Sequence, residues 1–294
     1  MQTKDTYKLI IVIISLLMID SFSALAESKP VNSFSINFEL VNGLILLEAT
    51  VDHKKGKYIL DTGCSFIAVD GIADEQQIEL SSTEFTETAS ETNLAVFELG
   101  SIKRQDVSAM TFDMQNIEAL VQTDIDGLIG TQAIEDYDIM IDYAEKKVYF
   151  LGKESFRPDI DAASYTIMKT SMHTVEDKSY IDVMVQDESY TLLLDSGANI
   201  SVMDSRLETR LQDAHQPNTL SVMADDYTLQ ELKMDLIKIE QLGIIYRDLS
   251  MVQSTKPIDG ILSLTSLGID KVIFDYSSGQ VIFFWAKHDH ASAY

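Results

Sequence analysis

The sequence predicts an all-β protein made of two similar halves, and two observations carry that prediction. Short apolar runs rich in β-branched and aromatic residues alternate with turn residues along most of the chain. Several landmarks of the first half recur in the second half at a nearly constant offset, and a repeat of that length is the size of a domain. We therefore expect two homologous β-barrel lobes that pack about a pseudo-two-fold axis.

The composition is that of a globular protein with a large core. Of the 294 residues, 46% are hydrophobic, and the formal net charge is −25. This charge argues against binding to nucleic acid or to anionic membrane surfaces. The single cysteine, Cys64, leaves no intrachain disulfide to stabilise the fold. We expect a monomer whose stability depends on its hydrophobic core.

The first 26 residues have the features of a secretory signal peptide. Lys4 and Lys8 precede an apolar run at 9–19 that is short for a membrane span, and Ala-Leu-Ala at 24–26 supplies a small-x-small cleavage pattern. An uncleaved N-terminal anchor is the alternative. We expect removal of residues 1–26 to leave a periplasmic or secreted protein without an integral membrane span.

The N-terminal lobe is expected at 27–157 and begins with an alternating strand. Phe34, Ile36, Phe38 and Leu40 share one face of this strand. The other predicted elements of the lobe are strands at 44–51, 58–61, 94–97, 107–112, 139–143 and 148–151, a helical turn at 132–137 and a polar excursion at 71–93.

The C-terminal lobe is expected at 158–294, after a linker around Pro158. A helix at 203–211 is predicted to start near Asp204, with apolar residues on one of its faces. The predicted strands of this lobe lie at 180–185, 190–195, 232–239, 249–252 and 281–285.

One short acidic motif follows an apolar run in each half. Asp61-Thr62-Gly63 comes after the run at 58–60, and Asp195-Ser196-Gly197 comes after the run at 192–194. The sequence positions of the two aspartates differ by 195 − 61 = 134. Because an unpartnered buried carboxylate costs roughly several kcal/mol, each aspartate is either a partnered structural group or a functional one.

Two further landmarks keep nearly the same offset. Asp126 opens a Gly-Leu-Ile-Gly segment, and Asp259 opens Gly-Ile-Leu-Ser, at an offset of 259 − 126 = 133. Asp142 and Asp275 each stand between an apolar residue and a tyrosine, again with 275 − 142 = 133. Asp126 and Asp259 are predicted to make structural turn contacts, because the residues around Asp126 do not complete a calcium-binding loop.

The repeated aspartates predict one shared site if their loops meet at the axis between the lobes. Two carboxylates a few ångströms apart do not both ionise easily, so Asp61 and Asp195 are expected to share one proton. The ionised member can take a proton from water while the protonated member polarises a carbonyl. Such a pair of carboxyl groups can hydrolyse an amide without a covalent intermediate, a metal or a cofactor.

These motifs resemble those of the pepsin and retropepsin superfamily of aspartic proteases. The resemblance rests on Asp-Thr/Ser-Gly at 61–63 and 195–197 and on the later Leu-Ile-Gly at 128–130. It covers about residues 33–286. The short lobes without disulfides are similar to two fused retropepsin-type units, which implies an acid-protease-like, bilobal β-barrel fold.

The resemblance also implies roles for single residues. Asp61 and Asp195 are the expected catalytic pair. The residues expected to support them, by crossed hydroxyl contacts and tight turns, are Thr62, Gly63, Ser196 and Gly197. Tyr227 is a candidate flap residue that contacts substrate, and Ser263 stands where the family has a glycine.

Three functions compete on this evidence. The first is an exported aspartic endopeptidase acting on peptides or proteins. The second is a protease-like module that binds peptides or a partner without turnover, as Ser263 and the unclear flap would allow. A glycosidase also uses two carboxylates, but it ranks last because the sole tryptophan, Trp285, lies in a closing strand rather than in a sugar-stacking cleft.

Two other groups are considered as a nucleophile and as a metal site. A nucleophilic Cys64 needs a nearby base, and nothing places His53, the nearest histidine in sequence, in its loop. A small, half-buried thiol is therefore favoured. The terminal His288-Asp289-His290 is interpreted as a solvated tail rather than a metal site.

Overall fold

The computed structural model describes residues 32–71, 78–81, 86–152, 160–217, 226–235, 237–250 and 258–287. The predicted signal peptide at 1–26, the linker around Pro158 and the tail at 288–290 lie outside these residues. Within the described ranges, no helix combines the length and the apolarity needed to cross a membrane.

The protein is mostly β, as expected. The strands of the first half are β1 (Phe34–Asn37), β2 (Glu39–Val41), β3 (Leu44–Val51), β4 (Lys54–Leu60), β5 (Ile67–Asp70), β6 (Ile78–Ser81), β7 (Thr86–Leu99), β8 (Ile102–Phe112), β9 (Gly127–Ile129), β10 (Tyr137–Asp142) and β11 (Lys147–Gly152). Helix α1 (Gln115–Val121), which the sequence analysis did not predict, lies between β8 and β9.

The second half is built in the same way. Its strands are β12 (Tyr165–Ser171), β13 (His173–Val175), β14 (Lys178–Val185), β15 (Glu188–Asp195), β16 (Ser201–Asp204), β17 (His215–Pro217), β18 (Asp226–Met234), β19 (Ile237–Arg247), β20 (Gly260–Ser263), β21 (Lys271–Asp275) and β22 (Gln280–Ala286).

Two eight-stranded sheets have the same strand order. The first runs β2-β3-β4-β9-β5-β8-β7-β6, and the second runs β13-β14-β15-β20-β16-β19-β18-β17. In each sheet the strand that leads into an aspartate motif, β4 or β15, pairs in parallel with a later short strand, β9 or β20. The two motifs therefore occupy equivalent positions in the two sheets.

A third sheet joins the two halves. Its order is β1-β11-β10-β21-β22-β12, with three strands from each half. At its centre β10 and β21 pair antiparallel, with Ile141 opposite Val272 and Asp142 opposite Lys271. One hydrophobic cluster includes buried side chains of this sheet and of both eight-stranded sheets, so the halves are packed around a common core.

The burial pattern repeats together with the strand order. β3 and β14 show the same sequence of buried, intermediate and exposed residues along their whole length. The side chains differ most at the first position, where Leu44 in β3 corresponds to Lys178 in β14 (178 − 44 = 134). Both residues are buried, although one is a hydrocarbon and the other carries an amine.

The polar excursion expected at 71–93 is wrong at 78–81 and 86–93, while 72–77 and 82–85 lie outside the described residues. Strand β6 lies within it, and β7 begins at Thr86 and pairs with β8 from Ala89 to Leu99. The segment is rich in threonine, whose branched side chain suits an extended backbone. Ladder hydrogen bonds therefore organise a stretch that hydrophobic patterning does not mark.

The helix expected at 203–211 is also wrong. Strand β16 ends at Asp204, and a short 3-10 turn, Ser205–Leu207, follows it. The Asp204 carboxylate accepts a hydrogen bond from the Arg206 backbone N–H at 2.9 Å. This bond caps the first turn, so Asp204 marks the start of a helical turn as expected, but the turn does not continue as an α-helix to 211.

Candidate active site

Asp61 and Asp195 follow equivalent strands and are withdrawn from solvent. The Asp61 backbone N–H donates to the Ile129 carbonyl oxygen at 3.0 Å, and Asp195 lies opposite Ser263 in the parallel β15–β20 pair. The exposed fraction is 1% for Asp61 and 0% for Asp195. The hydrophobic strand residues that precede each aspartate are buried, and they place it in the interior where the two halves meet.

Thr62 and Ser196 hold the two loops together through reciprocal hydrogen bonds. The Thr62 backbone N–H donates to Ser196 Oγ, and the Ser196 backbone N–H donates to Thr62 Oγ1, each at 3.0 Å. Thr62 Oγ1 then donates to the Leu194 carbonyl oxygen at 3.0 Å, and Ser196 Oγ donates to the Leu60 carbonyl oxygen at 2.8 Å. The structure thus contains the crossed hydroxyl contacts that were expected.

Gly63 and Gly197 bring each carboxylate against the loop of the other half. The Gly63 N–H donates to Asp61 Oδ1 at 2.9 Å, and the Gly197 N–H donates to Asp195 Oδ1 at 2.7 Å. A Cβ added to Gly63 would lie 2.7 Å from Asp195 Cγ, and one added to Gly197 would overlap the Asp61 carboxyl group. Both carboxyl groups therefore contact both glycines, and we call Asp61 and Asp195 the carboxylate pair.

Ser263, which departs from the expected glycine, fits its position. Its Oγ donates to the Ala198 carbonyl oxygen at 2.7 Å, just as Thr131 Oγ1 donates to the Cys64 carbonyl oxygen at 3.2 Å in the first half. The equivalent Gly130 has no such room, because a Cβ there would overlap the Phe66 carbonyl oxygen. The two halves thus use different residues to support the same loop.

Cys64 is more deeply buried than expected. Its exposed fraction is 0%, and its thiol lies 3.4 Å from the Phe66 carbonyl oxygen. Burial raises the pKa of the Cys64 thiol, and the charges of Asp61 and Asp195 raise it further. A protonated, enclosed thiol is a poor nucleophile, which agrees with a packing role.

Asp126 and Asp259 make the structural turn contacts predicted for them. Asp126 Oδ2 accepts from the Lys57 backbone N–H, and Asp259 Oδ2 accepts from the Thr191 backbone N–H, each at 2.9 Å. Asp259 Oδ1 also accepts from the Arg206 guanidinium at 2.6 Å. These bonds connect each carboxylate to the strand that leads into the aspartate motif. Among the described residues, no group of three or more acidic, histidine or cysteine side chains is arranged to hold a metal.

Tyr227, the candidate flap residue, is held in an aromatic cluster at the start of β18. Its hydroxyl donates to Glu208 Oε1 at 2.9 Å. Its ring centroid lies 4.5 Å from that of His215 and 5.3 Å from that of Tyr246. Residues 218–225, which precede β18, lie outside the described ranges, so contact between Tyr227 and substrate stays a prediction.

The sequence analysis did not single out Lys178, which lies beside the carboxylate pair. Its exposed fraction is 1%. Burial lowers the pKa of Lys178 below its ordinary value, and the acidic groups Glu176, Asp61 and Asp195 offset only part of that effect. Aligning the two halves by the offset of their aspartate motifs would have revealed it, because a lysine then falls on the buried Leu44 of β3.

Tyr143 is a second residue near the pair that sequence reasoning placed only in a strand. Burial raises the pKa of its phenol, and the charge of Asp195 adds to the effect. The group is therefore neutral throughout the acid and neutral pH range. Its strand pattern predicts burial but does not indicate which carboxylate it faces.

A separate cavity of about 230 Å³ lies against the third sheet. It is lined by Met140, Asp142, Glu145, Tyr149, Ile160, Asp161, Ser164, Tyr165 and Lys271. Neither member of the carboxylate pair lines it, so it does not belong to the candidate site.

The comparisons with known proteins add no assignment. No protein-family model matches the chain, and no curated protein is significantly similar to it.

Proposed function

We propose that this protein is an exported aspartic endopeptidase of the pepsin and retropepsin type. In this proposal the chain consists of two homologous lobes that arose by internal duplication and pack about a pseudo-two-fold axis. The matching strand order of the two eight-stranded sheets supports the duplication. The observation that carries the function is the meeting of the Asp61 and Asp195 carboxyl groups against both loop glycines.

The proposed reaction needs one proton shared by the carboxylate pair. The ionised carboxylate takes a proton from water as the water oxygen attacks the peptide carbonyl carbon, and the protonated carboxyl group donates to the carbonyl oxygen. The tetrahedral intermediate then collapses as the amide nitrogen receives a proton and the C–N bond breaks. The products are a carboxylic acid and an amine, with water as the co-substrate.

The surrounding residues support this chemistry by positioning. The Thr62–Ser196 hydrogen bonds fix the relative position of the two loops, and rigid positioning of reacting groups is a large part of enzymatic rate enhancement. The Gly63 and Gly197 N–H groups donate to the carboxylates and orient their oxygens. A peptide or protein chain in an extended conformation is the proposed substrate, with no cofactor.

A module that binds peptides without turnover is the second candidate. It is favoured by the burial of both carboxyl groups, 1% and 0% exposed, because a substrate carbonyl has to reach them. The same purified protein distinguishes the two candidates. An endopeptidase cleaves the peptides that it binds, and a module binds without cleaving.

The test is cleavage of a random peptide library between pH 3 and pH 8, followed by mass spectrometry of the products. Asp61→Asn and Asp195→Asn are each expected to lower cleavage at least about 1,000-fold, because each removes one half of the acid–base pair. Asp106→Asn is the matched control, since Asp106 is exposed on β8 and its positive φ of 52° suits asparagine. Cleavage that persists in both active-site variants, or no cleavage by the wild type, would refute the proposed activity.

A further inference from the structure

A tight hairpin holds Lys178 close to the loop that carries Asp61. Val175 and Lys178 are paired residues of β13 and β14, and the two residues between them, Glu176 and Asp177, have φ values of 50° and 61°. Two successive positive φ angles define the type I′ turn that suits a two-residue hairpin. The hairpin geometry places Lys178 immediately after the turn.

The turn is docked onto the loop that follows Asp61. Ser65 Oγ donates to the Glu176 carbonyl oxygen at 3.0 Å, which joins the second half to the first. The equivalent turn of the first half packs against the second half in the corresponding way, since a Cβ on Gly43 would lie 3.1 Å from Thr265 Oγ1 and 3.4 Å from Asn199 Cβ. The first residue of β14 is thereby held close to the Asp61 loop.

The β2–β3 and β13–β14 hairpins have different side chains at the first residue after the turn. Leu44 in the first half is 0% exposed, and Lys178 in the second half is 1% exposed. A buried ammonium is much more costly than a buried leucine unless it has counter-charges. The acidic groups that act on the Lys178 ammonium are Asp61, Asp195 and Glu176, so the carboxylate pair supplies counter-charge to it.

Cys64 and Tyr143, two other titratable groups near the pair, stay neutral at acid and neutral pH. Burial raises the pKa of the Cys64 thiol, so that it stays protonated. Tyr143 faces Asp195 and has a raised pKa for the same reason. A protonated thiol and a protonated phenol are neutral, so Lys178 is the one of these three groups that can carry positive charge near the pair.

We propose that Lys178 is an electrostatic positioning residue that stabilises the ionised form of the Asp61–Asp195 pair and so shifts its working pH range downward. This inference rests on the proposed function, because it concerns the same two carboxylates. It assigns the two halves unequal roles, since the first half supplies an apolar leucine and the second supplies the charge. Lys178 acts through the carboxylates and does not itself exchange a proton with substrate.

The test compares the pH dependence of kcat/KM for peptide cleavage in the wild type, Lys178→Leu, Lys178→Met and Lys178→Arg. Loss of the positive charge in the leucine and methionine variants is expected to move the acid limb to higher pH by about one unit. Arginine keeps the charge and is expected to keep the acid limb near that of the wild type. Leu44→Met is the matched control, because it changes a buried side chain at the equivalent position without changing charge.

A second readout separates this inference from the proposed activity. Carbon-13 NMR titration of the aspartate carboxyl carbons follows the pair without any turnover, and the apolar variants are expected to show the same upward displacement of its lower transition. Wild-type protein that fails to cleave peptides but shows this displacement refutes the endopeptidase and supports the inference. A lower transition that is unchanged in a folded apolar variant overturns the inference. Failure of both apolar variants to fold while Lys178→Arg folds would assign Lys178 a structural role and overturn it as well.

Discussion

Thr62 and Ser196 each donate a backbone N–H to the hydroxyl oxygen of the other, at 3.0 Å in both directions. The two residues come from different halves of the chain, and both are buried. The Thr62 hydroxyl in turn donates to the Leu194 carbonyl oxygen, and the Ser196 hydroxyl donates to the Leu60 carbonyl oxygen. Four hydrogen bonds thus join the loops that carry the carboxylate pair.

Ser196→Ala is expected to destabilise the protein by about 1–3 kcal/mol. It leaves the buried Thr62 N–H without its acceptor and the Leu60 carbonyl oxygen without its donor. The free energy of unfolding in urea measures the loss. Ser196→Thr keeps the hydroxyl, matches the residue used in the first half and is expected to lose less. Equal losses for alanine and threonine would contradict a hydrogen-bonding role.

Gly197→Ala is expected to lower peptide cleavage roughly 100-fold or more, because small displacements of reacting groups have effects of that size. The added Cβ would overlap the Asp61 carboxyl group and push the pair apart. Gly63→Ala is expected to act in the same way through Asp195, whose Cγ would be 2.7 Å away. Gly243→Ala is the control, since no atom lies within 4 Å of a Cβ there, and its kcat/KM should match that of the wild type.

Gly130 and Ser263 are expected to respond unequally when each is changed to the residue of the other half. Gly130→Ser would force a side chain onto the Phe66 carbonyl oxygen and is expected to prevent folding or to destabilise strongly. Ser263→Gly removes one buried hydroxyl that donates to the Ala198 carbonyl oxygen, at a cost of about 1–2 kcal/mol. Thermal and urea unfolding of both variants check this asymmetry. A larger loss for Ser263→Gly than for Gly130→Ser would contradict it.

Cys64 is expected to resist alkylation in the folded protein. Burial and the neighbouring carboxylates raise the pKa of its thiol, so little thiolate forms at neutral pH. Iodoacetamide labelling followed by mass spectrometry measures the rate, and the urea-unfolded chain is the positive control. Cys64→Ala matches Ala198 of the second half and is expected to retain cleavage. Rapid labelling of the folded protein with loss of activity would instead indicate a reactive thiol.

The buried Lys271–Asp142 ion pair at the centre of the third sheet is expected to stabilise the joined halves. Burial alone lowers the pKa of Lys271, but the hydrogen bond and charge of Asp142 raise it more, and the net shift is upward. A raised lysine pKa contributes stability that is fully present below the unfolded value of about 10.4 and is lost as pH rises through the folded value.

Lys271→Met is therefore expected to lower the free energy of unfolding by about 3 kcal/mol at pH 7. The difference from the wild type should shrink as pH rises above about 10.4. Lys54→Met removes an exposed ion pair with Asp126 and is expected to leave stability nearly unchanged. A pH-independent difference for Lys271→Met would point to lost packing rather than lost charge.

Much of the architecture was predictable because it depends on local pattern. The apolar runs before Asp61 and Asp195 predict strands, and the structure has β4 and β15 there. Hydrophobic patterning failed at 86–93, where ladder pairing with β6 and β8 organises a polar segment. It also failed after Met203, where Asp204 ends a strand and caps a short 3-10 turn instead of a helix that runs to 211. In both places hydrogen bonding, rather than hydrophobic burial, decides the conformation.

The amino-acid sequence alone determined the mostly β character, the spacing of the two aspartate motifs and the small residues beside them, because each of these features depends on residues that are adjacent in the chain. The tertiary structure alone decided that the Asp61 and Asp195 carboxyl groups meet the same two glycines and that the Lys178 amine is buried within range of their charge. Those contacts join residues that are far apart in the chain, and their geometry depends on how two packed halves share one core. No local pattern contains that relationship, since it arises only when both halves are folded against each other.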